Sequence, residues 1–183
     1  MRSPSTKSPR KIVATVPPQE ILPIVDGNFE SNVPGIYVIG DVTGLPLVKV
    51  AANHGTALLT KMEKQGRFKT KAEEGLDLVI IGAGPAGLSA AIEAQSRGLR
   101  YVVLERAKVA STVRSFPPGK KVYAEPRFLK NLSQLDSEGD KEKDAFIAMV
   151  EALVAEKGIQ LKEGVEVTAV KRLDERRFAI ETD

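Results

Sequence analysis

Apolar residues fall in short continuous runs and helical stripes along most of the chain, and alternate with polar ones only towards the carboxyl end. Ile36-Tyr37-Val38-Ile39 is a mostly β-branched run bounded by Pro34-Gly35 and Gly40-Asp41, which predicts a buried strand. A helix is predicted from about Pro46, a residue suited to a first helical position, to about Lys64. Asp77 to Ile81 predicts a second strand, Pro85 to Arg97 a helix, and Tyr101 to Leu104 a third strand. Their short connections describe a βαβ unit with a parallel sheet. Beyond a loop punctuated by Pro117-Pro118-Gly119 and Pro126, residues Phe146, Met149, Val150, Leu153 and Val154 recur at helical spacing. The tail alternates over Glu166 to Val170 and returns at Phe178 to Ile180 after the polar Asp174-Glu175-Arg176, an antiparallel hairpin. The fold class is therefore α/β, with a parallel sheet and a small antiparallel β appendage.

Composition divides the chain further. Residues 1–10 are almost entirely Ser, Thr, Pro, Lys and Arg and are expected to form a disordered tail. Residues 11–63 form a first segment, 64–75 (KQGRFKTKAEEG) a charged linker, and 76–183 a second segment. There are no cysteines, which excludes disulfides, thiolate metal sites and dithiol relays, and a single histidine argues against a His-based zinc site or a Ser–His–Asp triad. His54 reads as a packed or partly exposed side chain rather than a catalytic one. Lys and Arg number 27 against 24 Asp and Glu, a net charge of +3. That mild excess is not gathered beside aromatic residues, so nucleic-acid binding is not expected. The longest apolar stretch, Leu76 to Ala94, is broken by Asp77, three glycines, a proline and Glu93, so no membrane span is predicted and a cytoplasmic protein is the expectation.

The chemistry centres on Gly82-Ala83-Gly84-Pro85-Ala86-Gly87, which follows an apolar strand and opens a helix. Gly82 permits the tight turn, Gly84 lets the backbone approach a pyrophosphate, and Gly87 lets the helix pack on the sheet. The helix N-terminus, opened by Pro85, then offers the free N–H groups of Ala86 and the residues after it to the phosphates. The next strand ends in Glu105, followed by Arg106, at the spacing where an acidic side chain accepts hydrogen bonds from ribose hydroxyls. Together these features describe a Rossmann-like site for a small-molecule dinucleotide.

The stretch from Leu76 to Glu105 resembles the adenosine-diphosphate half of flavoprotein oxidoreductases. Val33 to Gly44 (VPGIYVIGDVTG) resembles the second FAD motif of the thioredoxin-reductase-like, FAD- and NAD(P)-dependent oxidoreductases. Ser115 to Pro126 is similar to a loop of the cysteine-lacking branch related to bacillithiol-disulfide reductases. The resemblance implies that FAD is the cofactor and that the carboxylate of Asp41, after Gly40, bonds a ribityl hydroxyl. It implies that the first turn of the next helix, at Val48 and Lys49, faces the flavin's pyrimidine edge, and that the backbone at Val167 contacts adenine. Reduction places negative charge at that flavin edge, where a helix N-terminus stabilises it.

The order departs from the family. The glycine–aspartate motif, last in the family, here precedes the glycine-rich motif, and no second G-x-G-x-x-G follows for NAD(P)H. One explanation is a junction, the end of one reductase module joined through residues 64–75 to the start of another. The other is a circularly permuted FAD domain. The junction is favoured, because the family's next parallel strand is not reached by Asp183; in either case the pieces are expected to pack into one unit. The function expected is the FAD-binding portion of a pyridine-nucleotide-dependent oxidoreductase without its NAD(P)H domain, with a remaining reductase module or a second copy as possible partner. The alternatives are a non-catalytic dinucleotide-binding or interaction module and an NAD-binding Rossmann domain.

Overall fold

The computed structural model describes residues 22–68, 74–175 and 177–183. The proposed tail at 1–10 and residues 69–73 of the proposed linker lie outside them. The organising layer is a three-stranded parallel sheet of β1 (Leu78–Ile81), β2 (Tyr101–Glu105) and β5 (Leu161–Glu163), with β2 in the centre. Leu78 lies opposite Tyr101 and Ile81 opposite Leu104, while Val103 lies opposite Leu161. Helix α2 (Pro85–Ser96) makes the crossover from β1 to β2, and α4 (Lys143–Lys157) is the helix between β2 and β5. Parallel neighbours need such crossovers, since a tight turn can only reverse the chain. Two small antiparallel pairs complete the sheets: β3 (Lys121–Val122) with β4 (Lys141–Glu142), and β6 (Val167–Arg172) with β7 (Phe178–Thr182). A short helix, α3 (Ser111–Arg114), follows β2.

Helix α2 is buried nearly all round, including Ala86, Leu88, Ser89, Ala91, Ile92 and Ala94. It earns that pattern by lying between two layers. The sheet covers one side and α1 (Val48–Lys64) the other, and a single apolar cluster runs through Leu58, Leu59 and Met62 of α1, Leu88 and Ile92 of α2, Val103 of β2, and Phe146 and Val150 of α4. The α1–α2 contact is close because small residues line it. A Cβ on Gly55 would lie 2.3 Å from the Ala86 carbonyl oxygen and 2.7 Å from the Ala90 nitrogen. No side chain larger than hydrogen fits there without moving a helix.

Two expectations need correction. The run at Ile36 to Ile39 is not a strand of the parallel sheet: it makes one isolated bridge, Tyr37 to Glu30. The backbone bonds of Ile36 and Val38 go back to its own neighbourhood, Ser31 N–H to Ile36 C=O (2.8 Å) and Val38 N–H to Phe29 C=O (2.9 Å). Its side chains are half-buried rather than buried. The first helix begins at Val48 rather than near Pro46, because Leu47, with φ −124° and ψ 123°, is still extended. On the side of β1 away from β2 no strand is paired among the described residues, and Ile81 at the end of β1 is exposed. No described helix is long and apolar enough to cross a membrane.

Candidate functional site

The glycine-rich turn leaves β1 at Ile81 and enters α2 at Pro85. Gly82 has φ +98°, a left-handed conformation that side chains resist. A Cβ on Gly87 would sit 2.0 Å from the Gly82 carbonyl oxygen and 3.2 Å from Ile80 Cγ2, so helix, turn and strand meet there without room for a methyl group. At Gly84 the surroundings are the opposite, with nothing within 4 Å of an added Cβ. The helix entry at Gly84 carries no side-chain cap. Its first-turn N–H groups therefore end a dipole beside open space, the arrangement that receives phosphate.

Glu105 closes the other side of this turn. The side chain is buried, its Oε2 accepting the Ala83 N–H at 2.8 Å and its Oε1 the Ala107 N–H at 3.0 Å. One carboxylate thus fixes both the glycine-rich turn and the chain leaving β2. Each oxygen keeps lone-pair capacity for a further donor. Glu105 borders a cleft of about 290 Å³ whose lining includes Gly82, Arg106, Ser111, Val165 and Val167. The Val165 N–H bonds the Glu105 carbonyl oxygen at 3.0 Å, which brings the start of β6 to this place. Gly82, Glu105, Arg106 and Val167, spread over 86 positions of sequence, share this cleft. A larger cavity of about 510 Å³ lies between α4 and β5, but its charged residues are paired with each other, Lys108 with Glu163 and Arg114 with Glu151, and it contains none of the motif residues.

The second motif comes to the same helix. Gly40 is buried with φ +83°, and an added Cβ would stand 3.0 Å from the Ala86 Cβ. The turn of Asp41–Thr43 is closed by Thr43, whose N–H and Oγ1 both donate to the Gly40 carbonyl oxygen at 3.0 and 2.8 Å. Asp41 is exposed, and no hydrogen bond or ion pair engages its carboxylate among the described residues. The packing around the carboxyl raises its pKa. Helix α1 starts at Val48 with no side-chain cap, so its first-turn N–H groups are also available.

Val48 is half-buried against the apolar cluster, and Lys49 is turned into the protein. The Lys49 side chain is 1% exposed, and its Nζ lies 3.1 Å from Glu138 Oε2 and 3.4 Å from the Pro126 carbonyl oxygen. One turn on, Asn53 donates to the Lys130 carbonyl oxygen at 2.8 Å and accepts the Leu132 N–H at 2.7 Å. On α2, Ser89 meets Ser133 at 2.6 Å. These contacts fasten the loop around 126–138 over both helices. Asn53, Ser133 and Glu138 were not legible as site-forming residues, because each acts through a partner 44 to 89 positions away.

The model of the pyridine nucleotide-disulphide oxidoreductase family matches residues 79–183, more than half of the chain. The chain belongs to this family. Among curated relatives, the thioredoxin reductase of Ureaplasma parvum is 48% identical over 48 residues, 26% of this chain and 13% of that protein. The aligned stretches take in only 13–15% of the length of the curated relatives matched. Among solved structures, a steroid monooxygenase bound to NADP superposes with TM-score 0.50 and 26% identity, over 59% of this chain and 23% of that one. The bacillithiol disulfide reductase of Staphylococcus aureus superposes with TM-score 0.48 and 24% identity, over 57% and 32%. The family match begins inside β1, so the segment with Gly40 and Asp41 lies outside it.

Proposed function

We propose that this chain is an FAD-binding portion of a flavoprotein oxidoreductase, in which residues 11–63 and 76–183, joined by the linker 64–75, contribute to one cofactor site. The observation that carries this reading is the approach of Gly40 to Ala86, which puts the Asp41 turn against the first turn of the glycine-rich helix. A long dinucleotide needs such an arrangement: an anion-binding helix start in the middle and a polar group for each end. The open space at Gly84 fits a pyrophosphate, and the Glu105 cleft, with Arg106 and the Val165–Val167 backbone, fits an adenosine. The unpartnered Asp41 carboxylate fits a polyol hydroxyl.

When bound, FAD supplies hydride acceptance from a nicotinamide donor and passage of electrons to an acceptor. The chain's own residues bind and orient. The uncapped start of α2 offsets phosphate charge, Glu105 holds the turn rigid while accepting ribose hydroxyls, and Asp41 fixes the flavin end. The uncapped start of α1, beginning at Val48 and Lys49, would stabilise negative charge on the flavin edge. No residue of this chain is assigned to the nicotinamide donor or to the electron acceptor.

The test is the visible absorption spectrum of the purified chain after incubation with FAD and desalting. Retained flavin near one to one is the result expected. A folded chain that stays colourless overturns the reading, and retention of NADH instead would favour an NAD-binding Rossmann domain using residues 76–105 alone.

A further inference from the structure

His54, the single histidine of the chain, lies one α-helical position before the tight Gly55 contact and faces the Asp41 turn. The Gly40 N–H donates to His54 Nδ1 at 3.4 Å, and the ring stands 4.9 Å from the Phe29 ring at a 48° tilt. Nδ1 can accept this bond only as an unprotonated nitrogen, so the neutral ring carries its proton on Nε2. Gly40 is the residue whose left-handed conformation turns the chain into Asp41. Its carbonyl is already held by Thr43, and its N–H by His54. The two bonds together fix the orientation of the peptide groups on both sides of Gly40.

We propose that His54 is a positioning residue: its neutral imidazole holds the Gly40–Asp41 turn against the start of α2, so that retention of the flavin depends on the protonation of this one side chain. The proposal rests on the function proposed above. Protonation would replace the acceptor by a second N–H donor facing the Gly40 N–H, and the bond would become a repulsion. Lys61 on α1 is the charge that acts on the ring; Asp26 and Glu30 belong to the turn that bears Phe29, and Tyr37 and Asp41 precede and follow Gly40 in the chain. Asp26 accepts the Asn28 and Glu30 N–H groups, and Glu30 is paired with Arg67. On α2 the residues nearest this part of α1, Ala86, Ser89 and Ala90, are uncharged. Burial, and after it the Lys61 charge, hold the imidazole below its ordinary value of 6.5. The sign follows: the unfolded chain takes up a proton more readily, so the ordered turn is complete above pH 6.5 and is lost as pH falls through the lower value in the fold.

The experiment follows two readouts on the full chain between pH 8 and pH 5. The first is the Gly40 amide resonance without cofactor, which should titrate with a midpoint below 6.5; an amide that does not move overturns the proposal. The second is flavin retention by the wild type, H54Q and H54F. H54Q offers a side-chain oxygen that does not titrate, and H54F keeps the ring against Phe29 but removes the acceptor. H54F should bind FAD about tenfold more weakly at pH 8, the loss of one hydrogen bond. H54Q should hold its flavin at pH 5–6 where the wild type releases it. If H54Q and the wild type share one pH profile, the acid loss belongs to Asp41 and the proposal fails. Absence of flavin from the wild type at pH 8 overturns the functional reading instead, and the amide titration still decides whether His54 holds the turn.

Discussion

Residues 78–105 hold their glycine turn by a parallel ladder, a helix buried on both sides and the Glu105 carboxylate, whereas residues 36–64 hold theirs against another part of the chain. The contrast shows in backbone bonding. β1 and β2 are paired over four positions, while the Ile36–Ile39 run has one isolated bridge. The ladder and the Glu105 contact of the first region join residues within about 30 positions, and only the outer side of α2 needs α1 to cover it. The second depends on Gly55 meeting α2 and on Lys49 and Asn53 reaching the 126–138 loop, while Gly40 itself is bonded within the region by Thr43 and His54. One half-site is therefore specified locally, and the other is specified by docking.

The sharpest way to break this difference is Gly55→Leu. With a Cβ already 2.3 Å from the Ala86 carbonyl oxygen, the larger side chain must push α1 off α2. The expected result is a loss of about 3 kcal/mol of stability, read from chemical denaturation, and loss of flavin retention. The β1–α2–β2 unit should keep its structure, so the Glu105–Ala83 contact should persist by amide exchange. Simultaneous collapse of both regions would show that the local half-site is not local.

Asp41→Asn separates binding from stability within the docked region. The Asp41 carboxyl has a raised pKa, so the fold holds its proton to higher pH than the unfolded chain does. Ionisation therefore costs stability as pH rises through that range, and the amide removes the cost. The variant should melt at the same temperature as the wild type or slightly higher at pH 7, and bind FAD about tenfold to a hundredfold more weakly. A lower melting temperature would show that Asp41 has a structural partner.

The smallest effect concerns the loop strap. Glu138→Gln leaves the Lys49 ammonium buried with the Pro126 carbonyl and a neutral amide, which should cost about 1–2 kcal/mol, tempered by the exposure of Glu138. Lys49→Met removes the charge itself and should cost less, because the thioether packs where the stem lay. Thermal melts of the two variants should fall in that order. The reverse order would make Lys49 the source of stability rather than a buried charge that Glu138 and Pro126 neutralise.

Much of the first region was legible because its signals are local. The apolar runs at β1 and β2, Pro85 at the start of α2, and the alternation at β6 and β7 reproduce the observed elements to within one or two residues at most ends. β5 was not legible: Leu161, Lys162 and Glu163 carry too little apolar pattern, and the strand exists because α4 returns the chain to the free side of β2. The Ile36–Ile39 run misled for the complementary reason, since a β-branched composition says that a segment is extended but not which partner it bonds.

The sequence by itself determined the strand–turn–helix of the glycine-rich motif, the α/β class and the types of residue available for a dinucleotide, because turns, helix starts and periodicity are set by neighbours in the chain. Only the tertiary structure decided that Gly40 meets Ala86, that Lys49 turns inward to Glu138, and that a histidine with no local signature accepts the Gly40 N–H. The first of those facts depends on how closely two helices can approach. That distance is fixed by the missing Cβ of Gly55 against the backbone of α2, across some thirty residues of intervening chain.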